Sequence, residues 1–261
     1  MTKIKKLVIL AGGLGTRISE ETERRPKPMV DIGGKPIIWH IMKFYNEFGI
    51  REFIICCGYK GYIIKNYFLN YLSLSTDMTI DMKTAKTTYH SKSPEDWKIT
   101  LVDTGDHTMT GGRIKRVASF IDGEDFYLTY GDGLADVDIE ALTNHHFASG
   151  KKATVTAVQP PGRFGALQLD GTTVTGFQEK IMGDGGWING GFFVVSNLCL
   201  ELLEDDMTIW ENEPMTSLAK DSDLNAYLHK GFWQPMDTLR EKNILEEKWQ
   251  NNQAPWKIWK C

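Results

Sequence analysis

Apolar residues in this chain gather in short runs separated by stretches of helical spacing, a pattern that predicts strands alternating with helices. Leu7, Val8, Ile9 and Leu10 form one such run, closed by glycine, and predict a first buried strand over Lys5–Leu10. Gly33-Gly34-Lys35-Pro36 follows, with proline placed to open a helix. Ile37, Ile38, Ile41, Phe44, Tyr45 and Phe48 then recur at helical spacing, and Gly49 supplies a stop. Phe53 to Cys57 predicts a second buried strand, and Ile63, Ile64, Tyr67, Phe68 and Tyr71 a second helix. This alternation predicts an α/β fold with a parallel, doubly wound sheet and right-handed crossovers. Ligands of such folds collect beyond the carboxyl ends of the strands.

Met78 to Met82 and Trp97 to Leu101 alternate with period two and predict strands, with Lys83 to Asp96 as a long exposed loop between them. Gly111-Gly112 opens a predicted helix with Ile114, Val117, Ala118 and Ile121 on one face. Phe126 to Tyr130 reads as a buried strand ending at Gly131-Asp132-Gly133, residues 138 to 148 as a helix, and Ala153 to Val158 as a strand. Beyond Pro160-Pro161 strands outnumber helices: Ala166 to Leu169, an Asp170-Gly171 turn, Val174 to Gln178, then Phe192 to Val195. The expected organisation is one domain over 1–261. A first half of about 1–158 carries a smaller β-rich region of about 159–237, and a helix and tail close the chain over 238–261. Thr238 and Glu241 have the spacing of a capping box for that helix. Trp256 and Trp259 predict that the tail docks on the fold or on a neighbouring subunit.

Composition narrows the partners. A formal net charge of −4 offers no basic footprint for nucleic acid. The four cysteines show neither zinc spacing nor a disulfide framework. Apolar runs are too short for a membrane span or a signal-peptide core, so a cytoplasmic protein with no membrane partner is expected. An acidic chain that binds polyphosphate must gather its cations locally.

The stretch best suited to do so is Leu10-Ala11-Gly12-Gly13-Leu14-Gly15-Thr16-Arg17, at the end of the first strand. Three glycines within four positions let backbone N–H groups approach phosphate oxygens, and Arg17 and Lys27 add positive charge. The spacing is neither a P-loop nor the dinucleotide pattern, and by itself it serves a tight turn equally well. Asp132, between two glycines at a strand end, reads either as a turn residue or as a group facing the crevice. Asp237 reads either as a helix-entry residue or as its partner. Brought together, the two carboxylates would form a hard oxygen site for Mg²⁺. Asp103 and Asp136 read as a turn and a helix start. His40 lies in a predicted helix, and His145-His146 reads as a surface pair.

Leu10-Ala11-Gly12-Gly13-x-Gly15-Thr16-Arg17, Thr22 and Pro26-Lys27-Pro28 together resemble the signature of the sugar-1-phosphate nucleotidyltransferases. Glu20 stands where that family usually carries proline. Ser19-Glu20-Glu21-Thr22 is similar instead to the branch that joins CTP to glucose 1-phosphate. The resemblance implies a Rossmann-like doubly wound sheet, mixed but mostly parallel, with the β-rich region serving the sugar. It implies that Leu10, Ala11, Gly12, Gly13, Gly15, Thr16 and Gly131 hold the nucleotide, that Arg17 and Lys27 neutralise its phosphates, and that Asp132 and Asp237 bind Mg²⁺. In Glu179-Lys180 the lysine is implied on the sugar phosphate and the glutamate on ring hydroxyls, with Asn189 and Gly165 beside them. The segment Thr104 to Arg113, with Thr108, resembles the base-binding region of the CTP branch, and the thymidylyl motif Gln-x-x-Pro-x-Gly-Leu-Ala-Gln is absent.

Arg113 has a chemical reason to read cytosine. A guanidinium only donates, so it can satisfy N3 and O2 of cytosine and meets a repelling N–H in uracil, with Gly111-Gly112 letting the base come close. Its competing reading is a general triphosphate clamp. The activity so implied is cytidylyl transfer from CTP to glucose 1-phosphate, feeding dideoxysugar synthesis for bacterial surface polysaccharide, by an expected homo-oligomer. A uridylyl- or thymidylyltransferase on the same fold, or a non-catalytic nucleotide-sugar sensor, are the alternatives. A sensor would be free to lose Arg17, Lys27, Asp132, Lys180 and Asp237, and all five are present.

Overall fold

All six residues of the strand Lys6–Ala11 are buried, because neighbours cover both faces and both edges. Strands Glu52–Cys57 and Phe126–Tyr130 flank it, each running parallel to it. A computed structural model describes residues 4–15, 18–91, 95–160, 166–178 and 186–259. Lys98–Asp103 extends the sheet, parallel to Glu52–Cys57. On the other side Phe193–Val195 pairs antiparallel with Phe126–Tyr130, and Ala153–Val158 antiparallel with Phe193–Val195. Among the described residues, Ile188–Asn189 and Leu224–His229 complete an eight-stranded mixed sheet. Strands from both sides of residue 159 therefore share one sheet.

Side chains of the first strand alternate between two cores, as strand geometry requires. Leu7, Ile9 and Ala11 join a cluster with helix Ile37–Glu47, and Val8 and Leu10 join the cluster on the opposite face. That is the doubly wound arrangement, layered on both faces. Helix Leu239–Gln250 is capped as its sequence predicts: Thr238 accepts from the Glu241 N–H and the Glu241 side chain accepts from the Thr238 N–H. The tail docks on the chain's own fold. Trp256 and Trp259 are buried around His40, with Trp256 Nε1 donating to His40 Nδ1 at 3.3 Å and His40 Nε2 2.8 Å from the Ile32 carbonyl.

Four expectations change. The predicted helix from Ile63 to Tyr71 is two, Gly61–Leu69 and Tyr71–Ser75. Lys83 to Asp96 is not all loop, because Lys86–Tyr89 pairs antiparallel with Met78–Asp81 as an exposed hairpin. The predicted helix after Gly111 is two short helices, Thr110–Arg116 and Ala118–Ile121. His145 and His146 are not a surface pair: His146 is buried, its Nδ1 2.9 Å from the Thr154 hydroxyl, and only His145 is exposed.

Candidate active site

Two small ladders bring distant residues to the carboxyl end of the sheet. Strand Phe126–Tyr130 delivers Asp132, whose neighbours Gly133–Ala135 pair antiparallel with Trp233–Pro235. The ladder continues in a bond from the Met236 N–H to the Asp132 carbonyl at 2.8 Å, so Asp237 arrives beside Asp132. A short 3₁₀ turn, Lys27–Met29, entered through Pro26, carries Lys27 to the same place. The Lys27 ammonium donates to Asp132 Oδ2 at 2.6 Å and also to Asp237 Oδ1. Burial works against this cation, but the two carboxylates outweigh it, and the Lys27 pKa is raised above the ordinary lysine value.

Two carboxylates converging on one cation make an oxygen donor set suited to Mg²⁺, which takes one or two carboxylates and completes its octahedron with phosphates and water. Among the described residues no three His, Cys, Asp or Glu side chains gather to form an all-protein cage. The residues present therefore fit a metal shared with a phosphate ligand.

The glycine loop is held from behind. Arg113 is buried, and its guanidinium donates to the carbonyls of Gly12 (3.0 Å), Gly105 (2.8 Å), Cys57 (3.4 Å) and Asp106 (3.4 Å) and to the Thr104 hydroxyl (2.7 Å). A Cβ on Gly12 would come within 2.0 Å of Arg113 Nη1, so glycine is needed there for the guanidinium to reach the loop. Burial also draws the Arg113 pKa below its usual value. The geometry thus engages both terminal nitrogens of Arg113 with the protein. Gly111 and Gly112 likewise do not open the site to a base: they pack against the backbones of Thr208 and Asp206. Farther along the loop, Thr22 donates from its hydroxyl to the Gly15 carbonyl at 3.0 Å.

Leu10, Ala11, Gly12, Gly13, Gly15, Lys27, Thr108, Arg113, Gly131 and Asp132 line one cavity of about 390 Å³. Asn189 and Asp237 line a second, of about 300 Å³. Tyr130 and Asp132 border both, which puts the Asp132 carboxylate where two ligands would meet. Thr16, Arg17, Gly165, Glu179 and Lys180 lie outside the described residues, as does the rest of Arg163-Phe164-Gly165. Asp103 accepts from the Gly105 N–H as a turn residue, and Asp136 lies 3.1 Å from His229, away from the Lys27 centre. Sequence reading passed over Tyr130 and Glu211, whose hydroxyl–carboxylate bond of 2.6 Å spans 81 residues and leaves no local mark.

Residues 6–231 match the family model described as nucleotidyl transferase. A glucose-1-phosphate cytidylyltransferase of Salmonella typhi is 58% identical over 255 residues, covering 97% of this chain and 99% of that protein. The chain belongs to the nucleotidyl transferase family. A probable glucose-1-phosphate cytidylyltransferase of Bacillus subtilis (strain 168) is 46% identical over 257 residues, 97% of this chain and all of that protein. The crystal structure of HddC from Yersinia pseudotuberculosis complexed with GMP-PN superposes with a TM-score of 0.68 at 25% identity, covering 94% of this chain and 100% of that one. As a nucleotidyl transferase the chain keeps its glycine loop, Lys27 and both aspartates at one end of a mixed, mostly parallel sheet.

Proposed function

We propose that this nucleotidyl transferase moves a cytidylyl group from CTP to glucose 1-phosphate, releasing pyrophosphate and forming CDP-glucose. Full-length similarity at 58% identity to a glucose-1-phosphate cytidylyltransferase carries the choice of substrates. The convergence of Lys27, Asp132 and Asp237 between two adjoining cavities supports catalysis rather than sensing alone. A phosphate oxygen of the sugar phosphate attacks the α-phosphorus of CTP as the bond to pyrophosphate breaks. No covalent enzyme intermediate is needed, so the protein's work is positioning and charge neutralisation.

The glycine loop, from Leu10 to Gly15 with Thr16, and Gly131 approach the triphosphate, and Lys27 and Arg17 neutralise its charge. Asp132 and Asp237 would hold Mg²⁺, which supplies further positive charge against the phosphates. Lys180 steers the sugar phosphate, with Glu179, Asn189 and Gly165 at the sugar. Arg113 and Thr108 border the nucleotide, and Arg113 fixes the loop from behind. The same reading makes the protein cytoplasmic and homo-oligomeric, in sugar-nucleotide supply for surface polysaccharide. Among the described residues no helix is long and apolar enough to cross a membrane. The exposed hairpin side chains Met78, Ile80 and Tyr89 suit a subunit contact. Pyrophosphate release from each of four nucleoside triphosphates with glucose 1-phosphate, with and without Mg²⁺, tests the activity. CTP should be used best and only with the metal; an enzyme that prefers UTP or dTTP would overturn the reading.

A further inference from the structure

Glu211 carries no motif, yet its carboxylate bonds Thr110, which lines the first cavity, and Tyr130, which borders both. Oε2 accepts from the Thr110 hydroxyl at 2.6 Å, and Oε1 accepts from the Tyr130 hydroxyl at 2.6 Å. Each hydroxyl also receives a bond. The Trp210 N–H donates to Thr110 Oγ1 at 2.9 Å, and Asn189 Nδ2 donates to the Tyr130 oxygen at 3.1 Å. The Asn189 amide is oriented by the Gly191 N–H, which donates to its Oδ1 at 2.9 Å. A carboxylate only accepts, and amide N–H groups only donate. Both hydroxyl protons must therefore point at Glu211, and burial together with that carboxylate raises the Tyr130 pKa, which keeps its proton in place.

Such one-way chains have a chemical consequence. Thr110 and Tyr130 line the nucleotide cavity with their protons already used, so what they can still offer a ligand there is a lone pair. With the triphosphate at Lys27 and the glycine loop, the lining left for the base includes Thr110, Tyr130 and an Arg113 whose terminal nitrogens are engaged elsewhere. We propose that Glu211 is a positioning residue for base choice, which makes Thr110 and Tyr130 pure acceptors toward the C4 substituent of the base and so favours the 4-amino donor of cytosine over the 4-oxo acceptor of uracil. This rests on the cytidylyltransferase reading.

Glu211→Gln tests it, because Thr110 and Tyr130 donate to different carboxylate oxygens and the variant puts a donor, Nε2, in place of one of them, so the hydroxyl facing it must turn. kcat/KM for CTP and for UTP is measured with glucose 1-phosphate, alongside melting temperatures, for the wild type, Glu211→Gln, Thr110→Val and Thr110→Ser. One hydrogen bond exchanged for a repulsion predicts that the CTP/UTP preference narrows by about tenfold in Glu211→Gln and Thr110→Val, while Thr110→Ser retains it. A purely structural role would lower both nucleotides together, and a wild-type CTP/UTP ratio in Glu211→Gln, with or without such a loss, overturns the proposal. Should Glu211→Gln fail to fold, an unchanged ratio in Thr110→Val does the same. A wild-type enzyme with no preference for CTP would instead sink the cytidylyltransferase reading itself.

Discussion

The Met236 N–H donates to the Asp132 carbonyl at 2.8 Å, and this backbone bond sets the two carboxylates of the site side by side. A slip of the Trp233–Pro235 strand by one residue would turn Asp237 to the other face. Asp132→Asn and Asp237→Asn keep that bond and the side-chain shape while removing a charge. Each should lower turnover by orders of magnitude with a near-native melting temperature, measured by pyrophosphate release and calorimetry. Native-like activity in either variant would remove that residue from the metal site.

Lys27→Met removes the cation between the two aspartates and leaves them facing each other. Turnover should fall by about 10²–10³, as for loss of one preorganised transition-state contact. Without Lys27 the carboxylates repel, so the melting temperature should drop and added Mg²⁺ should recover it more than it raises that of the wild type. Equal Mg²⁺ responses would show that the lysine and the metal do not compete for the same oxygens.

Lys180→Ala separates the two phosphate roles. Losing a charged partner at a desolvated phosphate costs about 2–5 kcal/mol, and the effect should appear in KM for glucose 1-phosphate more than in KM for CTP. Equal effects on both substrates would contradict the assignment.

Arg113→Lys retains charge but loses the fork that ties Gly12 to Gly105. The sequence aims this guanidinium at cytosine; the structure engages it with loop carbonyls. Leaving a buried carbonyl unpaired costs about 1–3 kcal/mol, so kcat/KM should fall for CTP and UTP alike, with a lower melting temperature. A loss confined to CTP would restore the base-reading role.

His40 gives the fold a pH dependence. Burial, acting first, pulls its pKa from 6.5 to about 4. Between these values the unfolded chain binds a proton that the native protein refuses. Stability is thus full above about pH 6.5 and is lost as pH falls toward 4, by about 3 kcal/mol. Melting temperatures across pH 4–7 should show this slope, and His40→Gln should flatten it in proportion, leaving the share due to His146, whose pKa burial also lowers. An unchanged slope in His40→Gln would exclude His40 as its source.

The strands over 6–11 and 52–57 were legible because burial on both faces forces long apolar runs, and those over 126–130 and 153–158 because threonine is the only polar side chain interspersed among apolar ones. The capping box was legible because its parts lie three residues apart. Lys86–Tyr89 was not, since Lys-Thr-Thr-Tyr carries no apolar run and takes its strand form from pairing with Met78–Asp81. His146 is buried by a strand that lies beyond its own helix, and adjacency to His145 conceals that the two side chains point apart. At the site, glycine spacing marked the loop, and Asp132 stood out between glycines. The Glu211–Tyr130 bond and the engagement of Arg113 join residues from separate segments, so neither local spacing nor composition records them.

Lys27 and Asp237 are 210 residues apart, roughly 10–40 s of translation at about 5–20 residues per second. A nascent chain therefore has its glycine loop, Lys27 and Asp132 well before the strand at Trp233–Pro235 leaves the ribosome. Until that strand zips onto Gly133–Ala135, the lysine has one carboxylate instead of two and the site stays open to water. A chain that ends short of Trp233–Pro235 therefore holds Lys27 and Asp132 without the ladder that brings Asp237 beside them.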